Sequence, residues 1–239
     1  MSGYLSIHLI LFVFLIFGLL NVRADELPKA LPEDVSMSSE ELKKVDQVIQ
    51  KFIDDKELAG AVTIIARKGK VIHFSAQGMQ NISAAKKMDK DSIFRIYSMT
   101  KAVVSVAAMR LVEQGKLKLD VPASTYIPSI AKMKLNGKIP NREMTLRDLL
   151  SHSSGLPNNV STDRALRAAG HPSLAESNLE EIMGRLESVP LKYEPSKGWY
   201  YSFAADVVGR LVEIGSGLQL DKALRDLIFD PLGMKDTGF

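Results

Sequence analysis

One apolar stretch in the middle of the chain constrains the fold more than any other feature. Between residues 102 and 112 almost every side chain is Ala, Val, Met or Leu, and only Ser105 and Arg110 interrupt the run. A helix that is apolar on nearly every side has to be surrounded by other elements. The sequence therefore predicts a buried helix here, ended by Gly115, around which the chain is organised.

The residues that lead into this helix carry a chemical signal. Ser98 is followed three positions later by Lys101, a spacing that puts a hydroxyl and an amine on one helix face. A serine hydroxyl needs a neighbouring group that accepts its proton before it can attack a carbonyl carbon. Burial and the positive end of a helix both favour a neutral amine, which could fill that role. The alternative is that Ser98 only caps the helix.

Two other serines precede a lysine by three residues, so the spacing alone is weak evidence. Ser83 and Lys86 lie in a polar stretch that is typical of a surface turn. Ser129 and Lys132 follow Pro128 and lead into no sustained apolar helix. Context therefore favours Ser98.

Composition excludes several classes of function. The chain has no cysteine, which rules out disulfides, thiol nucleophiles and thiolate zinc sites. Its four histidines show no metal-ligand spacing, and its net charge of +3 comes from scattered basic residues. We therefore expect no metal, no cofactor and no nucleic-acid partner, and a small-molecule or peptide substrate instead.

The N-terminus predicts export. An apolar run over residues 9–20 is followed by Val22-Arg23-Ala24, which fits a signal peptide at 1–24 with cleavage after Ala24. The expected location is the periplasm or the exterior of the cell. The early segment lacks Lys and Arg, so an uncleaved segment that anchors the chain to a membrane is the alternative.

The elements before the central helix follow from local patterns. Residues 25–37 are predicted to be an extended lead-in, and Ser38 with Glu41 forms a capping box before an amphipathic helix that reaches about Lys56. Two β-rich runs, 60–66 and 70–76, predict a hairpin. His73 alternates within the second run, so we interpret it as structural.

A turn-rich loop lies beyond the central helix. Thr145 is predicted to cap a short helix with Asp148 in its first turn, and the loop 151–157 follows. His152 in this loop is a possible general base. A lysine and a tyrosine offer a better set, however, and a histidine in such a turn often only ties loops together. Further apolar helices are predicted at 203–213 and 221–229.

Taken together, these blocks resemble the serine β-lactamase and penicillin-binding-protein superfamily, which includes class C β-lactamases, D-alanyl-D-alanine carboxypeptidases and related carboxylesterases. The resemblance is carried by residues 94–101, 115–120, 145–157, 199–202 and 230–239. It implies an α+β fold of the β-lactamase/transpeptidase type, with a helical subdomain and an antiparallel sheet. It also implies that Ser98 is acylated, that Lys101 activates it, and that Tyr201 shuttles protons to and from the leaving group.

Two departures from the family pattern affect the expected substrate and the expected extent of the domain. Phe203 stands where the family usually has Asn after Tyr-x, which counts against β-lactam hydrolysis and favours an esterase. No Lys-Thr-Gly or His-x-Gly strand follows, so residues 38–239 are expected to be a β-lactamase-related domain that is incomplete at its C-terminus. Only the N-terminal hairpin of the sheet is then expected.

Two functions remain open from the sequence. The first is an exported serine hydrolase that acts on a β-lactam, a D-Ala-D-Ala-type peptide or a small carboxylic ester through an acyl-enzyme on Ser98. The second is an inactive remnant or a ligand-binding module of the same family. The sequence leaves the oligomeric state open.

Overall fold

The computed structural model describes residues 27–239, in two compact units. The first contains the described residues up to 95, and the second contains residues 96–239. The predicted signal peptide and the first two residues of the predicted lead-in lie outside the described residues. Helices and a small antiparallel sheet make the chain α+β, as predicted.

The first unit is one helix and a three-stranded sheet. Ser38 caps the helix by accepting the Glu41 N–H at 3.2 Å, but Glu41 pairs with Lys44 instead of completing the predicted capping box. The elements are α1 (Ser39–Asp54), β1 (Gly60–Arg67), β2 (Lys70–Asn81) and β3 (Lys86–Lys87). The lead-in also differs from the extended prediction, because Pro32–Val35 forms a 3₁₀ turn.

The strands pair in the order β1-β2-β3, all antiparallel. Lys68 and Gly69 join β1 to β2 with φ angles of 50° and 70°, the left-handed pair that a tight hairpin turn requires. The predicted hairpin is therefore present, and β3 extends the sheet beyond it. Lys86 of the second Ser-x-x-Lys match belongs to this edge strand, while Ser83 is exposed in the turn before it.

Polar contacts tie α1 to β2. The Ser75 hydroxyl donates to Asp46 Oδ1 at 2.7 Å, and His73 Nε2 lies 3.3 Å from the same oxygen. His73 Nε2 also lies 3.3 Å from Ser75 Oγ, so Ser75 and Asp46 meet the same ring nitrogen. A proton relay needs one partner on each ring nitrogen, so these three residues do not form one. The contacts agree with the structural interpretation of His73.

The second unit is helical. Its α-helices are α2 (Thr100–Glu113), α3 (Leu146–Leu150), α4 (Asn159–Ala168), α5 (Leu179–Gly184), α6 (Ala204–Ser216) and α7 (Leu220–Leu224). The predicted helix 221–229 is split, since α7 continues as a π-helical turn, Arg225–Phe229. One hydrophobic core contains residues from Val104 to Phe229.

The central helix α2 is buried on one side only. Val104, Ala107, Ala108 and Leu111 lie in the core, where α2 packs against α6. On the opposite side Val106 is 51% exposed and Met109 is 38% exposed. The prediction of a helix surrounded on nearly every side is therefore wrong within this structure. Among the described helices, none has the length and apolar character that a bilayer crossing needs.

Candidate active site

Ser98 lies immediately before α2, in the 3₁₀ turn Tyr97–Met99. The helix begins at Thr100 and its N-cap is Met99, so Ser98 is not the cap residue. Tyr97 has a φ of 44°, which is uncommon for a residue with a side chain. The Ser98 hydroxyl contacts two other side chains.

Lys101 is the first of these side chains. Its Nζ lies 3.2 Å from Ser98 Oγ, which is the contact that the three-residue spacing predicts. Lys101 is partly exposed, whereas the sequence led us to expect a buried amine. Its Nζ also lies 4.9 Å from the centre of the Tyr201 ring.

Tyr201 is the second side chain that contacts Ser98, and it comes from a distant part of the chain. Its hydroxyl donates to Ser98 Oγ at 2.8 Å. The contact is possible because Tyr201 lies just before α6, and α6 packs against the helix that follows Ser98. Hydrogen bonding to Lys101 and then to Ser98 lowers the pKa of Tyr201 below its ordinary value. The structure thus brings the three predicted site residues together.

His152 also belongs to this cluster. Its ring centre lies 4.8 Å from that of Tyr201, with the two planes tilted by 36°, and Trp199 meets it edge-on at 6.2 Å. Its Nδ1 accepts the Ser202 N–H at 3.3 Å. Burial, followed by the Lys101 charge, lowers the pKa of His152. The sequence placed this residue in a loop but gave no sign of its contact with Tyr201.

The loop that carries His152 is fixed at both ends. At its start, Thr145 caps α3 and Asp148 lies in the first turn, as predicted, and Asp148 Oδ2 also accepts the Thr145 N–H at 2.8 Å. Arg142 pairs with the same oxygen at 2.8 Å. Further on, Gly155 has a φ of 83° and packs so closely that a Cβ would lie 2.3 Å from the Tyr193 carbonyl oxygen. Only glycine fits there.

Asp206 is a site neighbour that the sequence analysis missed. It lies in the first turn of α6, where burial raises its pKa, while Asn159 and the Lys101 charge oppose that effect. Its position five residues after Tyr201 is the only sequence signal that it could lie near the lysine.

Two other residues have roles different from those that their motifs suggest. Phe203 is 1% exposed and belongs to the hydrophobic core, so its side chain contributes packing. The Ser129 hydroxyl donates to the Met183 carbonyl oxygen, which commits it to the backbone. Across residues 27–239, no three His, Asp or Glu side chains are grouped so that they could hold a metal ion.

A family model described as beta-lactamase matches residues 45–239. The chain belongs to the beta-lactamase family. Within the wider serine β-lactamase and transpeptidase-like superfamily, its relatives include esterases. The chain is 36% identical over 201 residues to esterase EstB of Burkholderia gladioli, covering 82% of this chain and 51% of EstB. It is 29% identical over 208 residues to lovastatin esterase of Penicillium rubens, covering 82% and 52%.

Solved structures of this family share the fold. EstCE1, a hydrolase with promiscuous acyltransferase activity, matches with a TM-score of 0.73 and 32% identity, over 80% of this chain and 51% of EstCE1. The octameric penicillin-binding protein homologue of Pyrococcus abyssi matches with a TM-score of 0.66 and 26% identity, over 81% and 43%. The chain therefore spans about half the length of the relatives it matches.

Proposed function

We propose that the chain functions as a serine hydrolase that forms an acyl-enzyme on Ser98 and acts on small carboxylic esters. The observation that carries the proposal is the convergence of Lys101 Nζ and the Tyr201 hydroxyl on Ser98 Oγ, at 3.2 and 2.8 Å. Two groups that can each hold or release a proton meet the same nucleophile. Proton transfer requires groups within hydrogen-bond reach of each other, and both contacts meet that requirement.

The acylation step follows from these contacts. Ser98 Oγ attacks the ester carbonyl carbon while its proton passes to Lys101 in the neutral form. The bond from carbon to the leaving oxygen then breaks, and Tyr201 supplies the proton that the leaving alkoxide needs. The lowered pKa of Tyr201 suits this exchange, because the phenol releases its proton more readily than a free tyrosine.

Deacylation reverses the same path. A water molecule attacks the acyl carbon and gives a proton to the Tyr201 phenolate. The bond between Ser98 Oγ and the acyl carbon breaks, and Lys101 returns to Ser98 Oγ the proton that it took during acylation. The carboxylic acid leaves.

The choice of esters rests on the relatives. EstB and lovastatin esterase are named as esterases, and EstCE1 is described as a hydrolase with acyltransferase activity. Phe203 supports the same choice, because a phenyl side chain in the core supplies no donor to a β-lactam side-chain amide. β-Lactams and D-Ala-D-Ala-type peptides are the competing substrates.

The test is labelling of this chain with a fluorescent fluorophosphonate, with peptide mapping, beside hydrolysis of p-nitrophenyl butyrate and nitrocefin. We expect the label on Ser98, turnover of the ester, and loss of both in Ser98→Ala. Ser83→Ala is the matched control, since it precedes a lysine by three residues but lies in an exposed turn. Label that persists in Ser98→Ala, or a folded protein that takes no label, would overturn the proposal. Faster turnover of nitrocefin would overturn the choice of ester.

We also propose that residues 1–24 direct export and are removed. The support is the apolar run at 9–20 and the small residues before Asp25. Intact-mass measurement after expression in a bacterial host should find a chain that begins at Asp25 in the periplasmic fraction. A chain that retains residue 1 in the membrane fraction would instead support the anchor.

A further inference from the structure

We propose that His152 is the positioning residue for Tyr201, and that it holds the phenol against Ser98 and Lys101 without itself transferring protons. This inference rests on the proposed function for its catalytic meaning. Its structural content, the placement of one phenol by one histidine, can be tested without any turnover.

The first argument is a backbone clamp on both sides of Tyr201. The Tyr200 N–H donates to the His152 carbonyl oxygen at 3.0 Å. The Ser202 N–H donates to His152 Nδ1 at 3.3 Å. The residues on either side of Tyr201 therefore both donate a backbone N–H to His152, which restrains the backbone from which the Tyr201 side chain extends.

The second argument is the ring contact. The His152 imidazole lies against the Tyr201 ring at a centre-to-centre distance of 4.8 Å, within the range of favourable aromatic pairs. Lys101 Nζ lies 4.9 Å from the centre of the same phenol ring. With its backbone clamped and its ring in contact with both side chains, the phenol has little freedom to turn away from Ser98.

The conformation of His152 is itself constrained by the fold. Its φ is 56°, in the left-handed region that histidine, asparagine and aspartate adopt more readily than most residues. Its carbonyl oxygen also accepts the Tyr193 hydroxyl at 3.2 Å. The backbone turn and this second acceptor contact aim the imidazole at Tyr201.

The hydrogen-bond pattern argues against His152 as a general base. Nδ1 lies 3.3 Å from both the Ser202 backbone N–H and the Ser202 hydroxyl. A backbone N–H can only donate, so the neutral ring that accepts it carries its proton on Nε2. A second proton would have to enter at Nδ1 and would break the clamp. The charged and titratable groups around the ring are Lys101 on α2, Tyr201 beside it, and Tyr193 at its carbonyl.

The experiment measures the titration of Tyr201 by NMR in protein labelled with ¹³C at tyrosine Cζ, assigned with Tyr201→Phe. The variants are His152→Ala, which lacks both ring and acceptor, and His152→Asn, which tolerates the left-handed backbone and keeps an acceptor. His171→Asn is the matched control, since His171 contacts Ser188 in a different part of the unit.

We expect the Tyr201 pKa to rise toward its ordinary value in His152→Ala and to rise less in His152→Asn. His171→Asn should leave it unchanged. If the parent hydrolyses esters, kcat/KM in His152→Ala should fall about 10²-fold, the scale of a small misplacement of a catalytic group.

Two results would overturn the inference. One is a folded His152→Ala protein that retains turnover and in which Tyr201 titrates as in the parent. The other is loss of turnover in both variants with the Tyr201 titration unmoved, which would make His152 a proton-transfer group. A parent without ester hydrolysis would refute the proposed function alone, because the titration is still measured.

Discussion

Ser98 Oγ receives contacts from two groups, and Tyr201 provides the shorter one, at 2.8 Å. In Tyr201→Phe the ring remains but the proton donor is lost. We expect the rate of Ser98 acylation to fall about 10²- to 10⁴-fold, the usual contribution of a positioned acid or base. Rapid-mixing kinetics with p-nitrophenyl butyrate would measure it.

Tyr200→Phe is the control for that change. Tyr200 is the preceding residue, but its hydroxyl accepts from Asn158 Nδ2 and not from the serine. The pH profile adds a second criterion, because a lowered Tyr201 pKa means that the phenolate forms at a lower pH than in free tyrosine. Acylation needs the protonated phenol, so the parent's kcat/KM should fall as the pH rises through that value, and Tyr201→Phe should lack this fall. Equal effects of the two substitutions would contradict the assignment.

Asp206 gives a prediction on stability and pH. Burial raises its pKa above the ordinary value of 3.8, so the folded chain binds this proton more tightly than the unfolded chain does. The free energy of unfolding therefore contains a contribution that falls as the pH rises from 3.8 to the raised pKa. Asp206→Asn should remove this fall, as measured by urea unfolding at several pH values. A steeper fall in the variant would contradict the burial argument.

At the scale of an element, α3 and the loop after it depend on Asp148. This carboxylate is 4% exposed, caps α3 through Thr145 and pairs with Arg142. Asp148→Ala removes the cap contact and leaves polar groups unpaired, so the free energy of unfolding should fall by about 1–3 kcal/mol. Urea unfolding would measure the loss.

An exposed ion pair between α3 and Asp120 provides the comparison. Asp120 accepts Arg147 through both carboxylate oxygens, at 2.6 and 2.9 Å, but the pair is open to solvent. Asp120→Asn should change stability little, because exposed pairs are screened and entropically costly. If Asp120→Asn cost more than Asp148→Ala, burial would not be the deciding factor.

Contacts between residues close in sequence could be predicted, and contacts between distant loops could not. The Ser98 and Lys101 pair follows from one helical turn, and the Thr145 cap follows from its spacing to Asp148. The role of His152 could not be predicted, because it depends on a left-handed backbone and on a segment 50 residues away. Tyr201 was found only through the family resemblance.

The exposed side of α2 shows the same limit at the scale of an element. A run of apolar residues indicates that a helix is buried but does not say by which elements. In residues 27–239 the core covers one side of α2, and Val106 and Met109 remain open. The sequence therefore predicted the presence of this helix correctly and its surroundings incorrectly.

At the scale of the whole second unit, the site and the core share the same two helices. Ser98 precedes α2 and Tyr201 precedes α6, and the packing of these helices forms the core that holds the site residues together. Leu111→Ala, at a position with 0% exposure, should lower the free energy of unfolding by about 2–5 kcal/mol. Val106→Ala, on the open side of the same helix, should change it little. Within each variant, the Tyr201 NMR signal and far-ultraviolet circular dichroism should report the same urea midpoint as each other. Loss of the Tyr201 signal at a lower urea concentration than the helices would show that the site does not depend on this core.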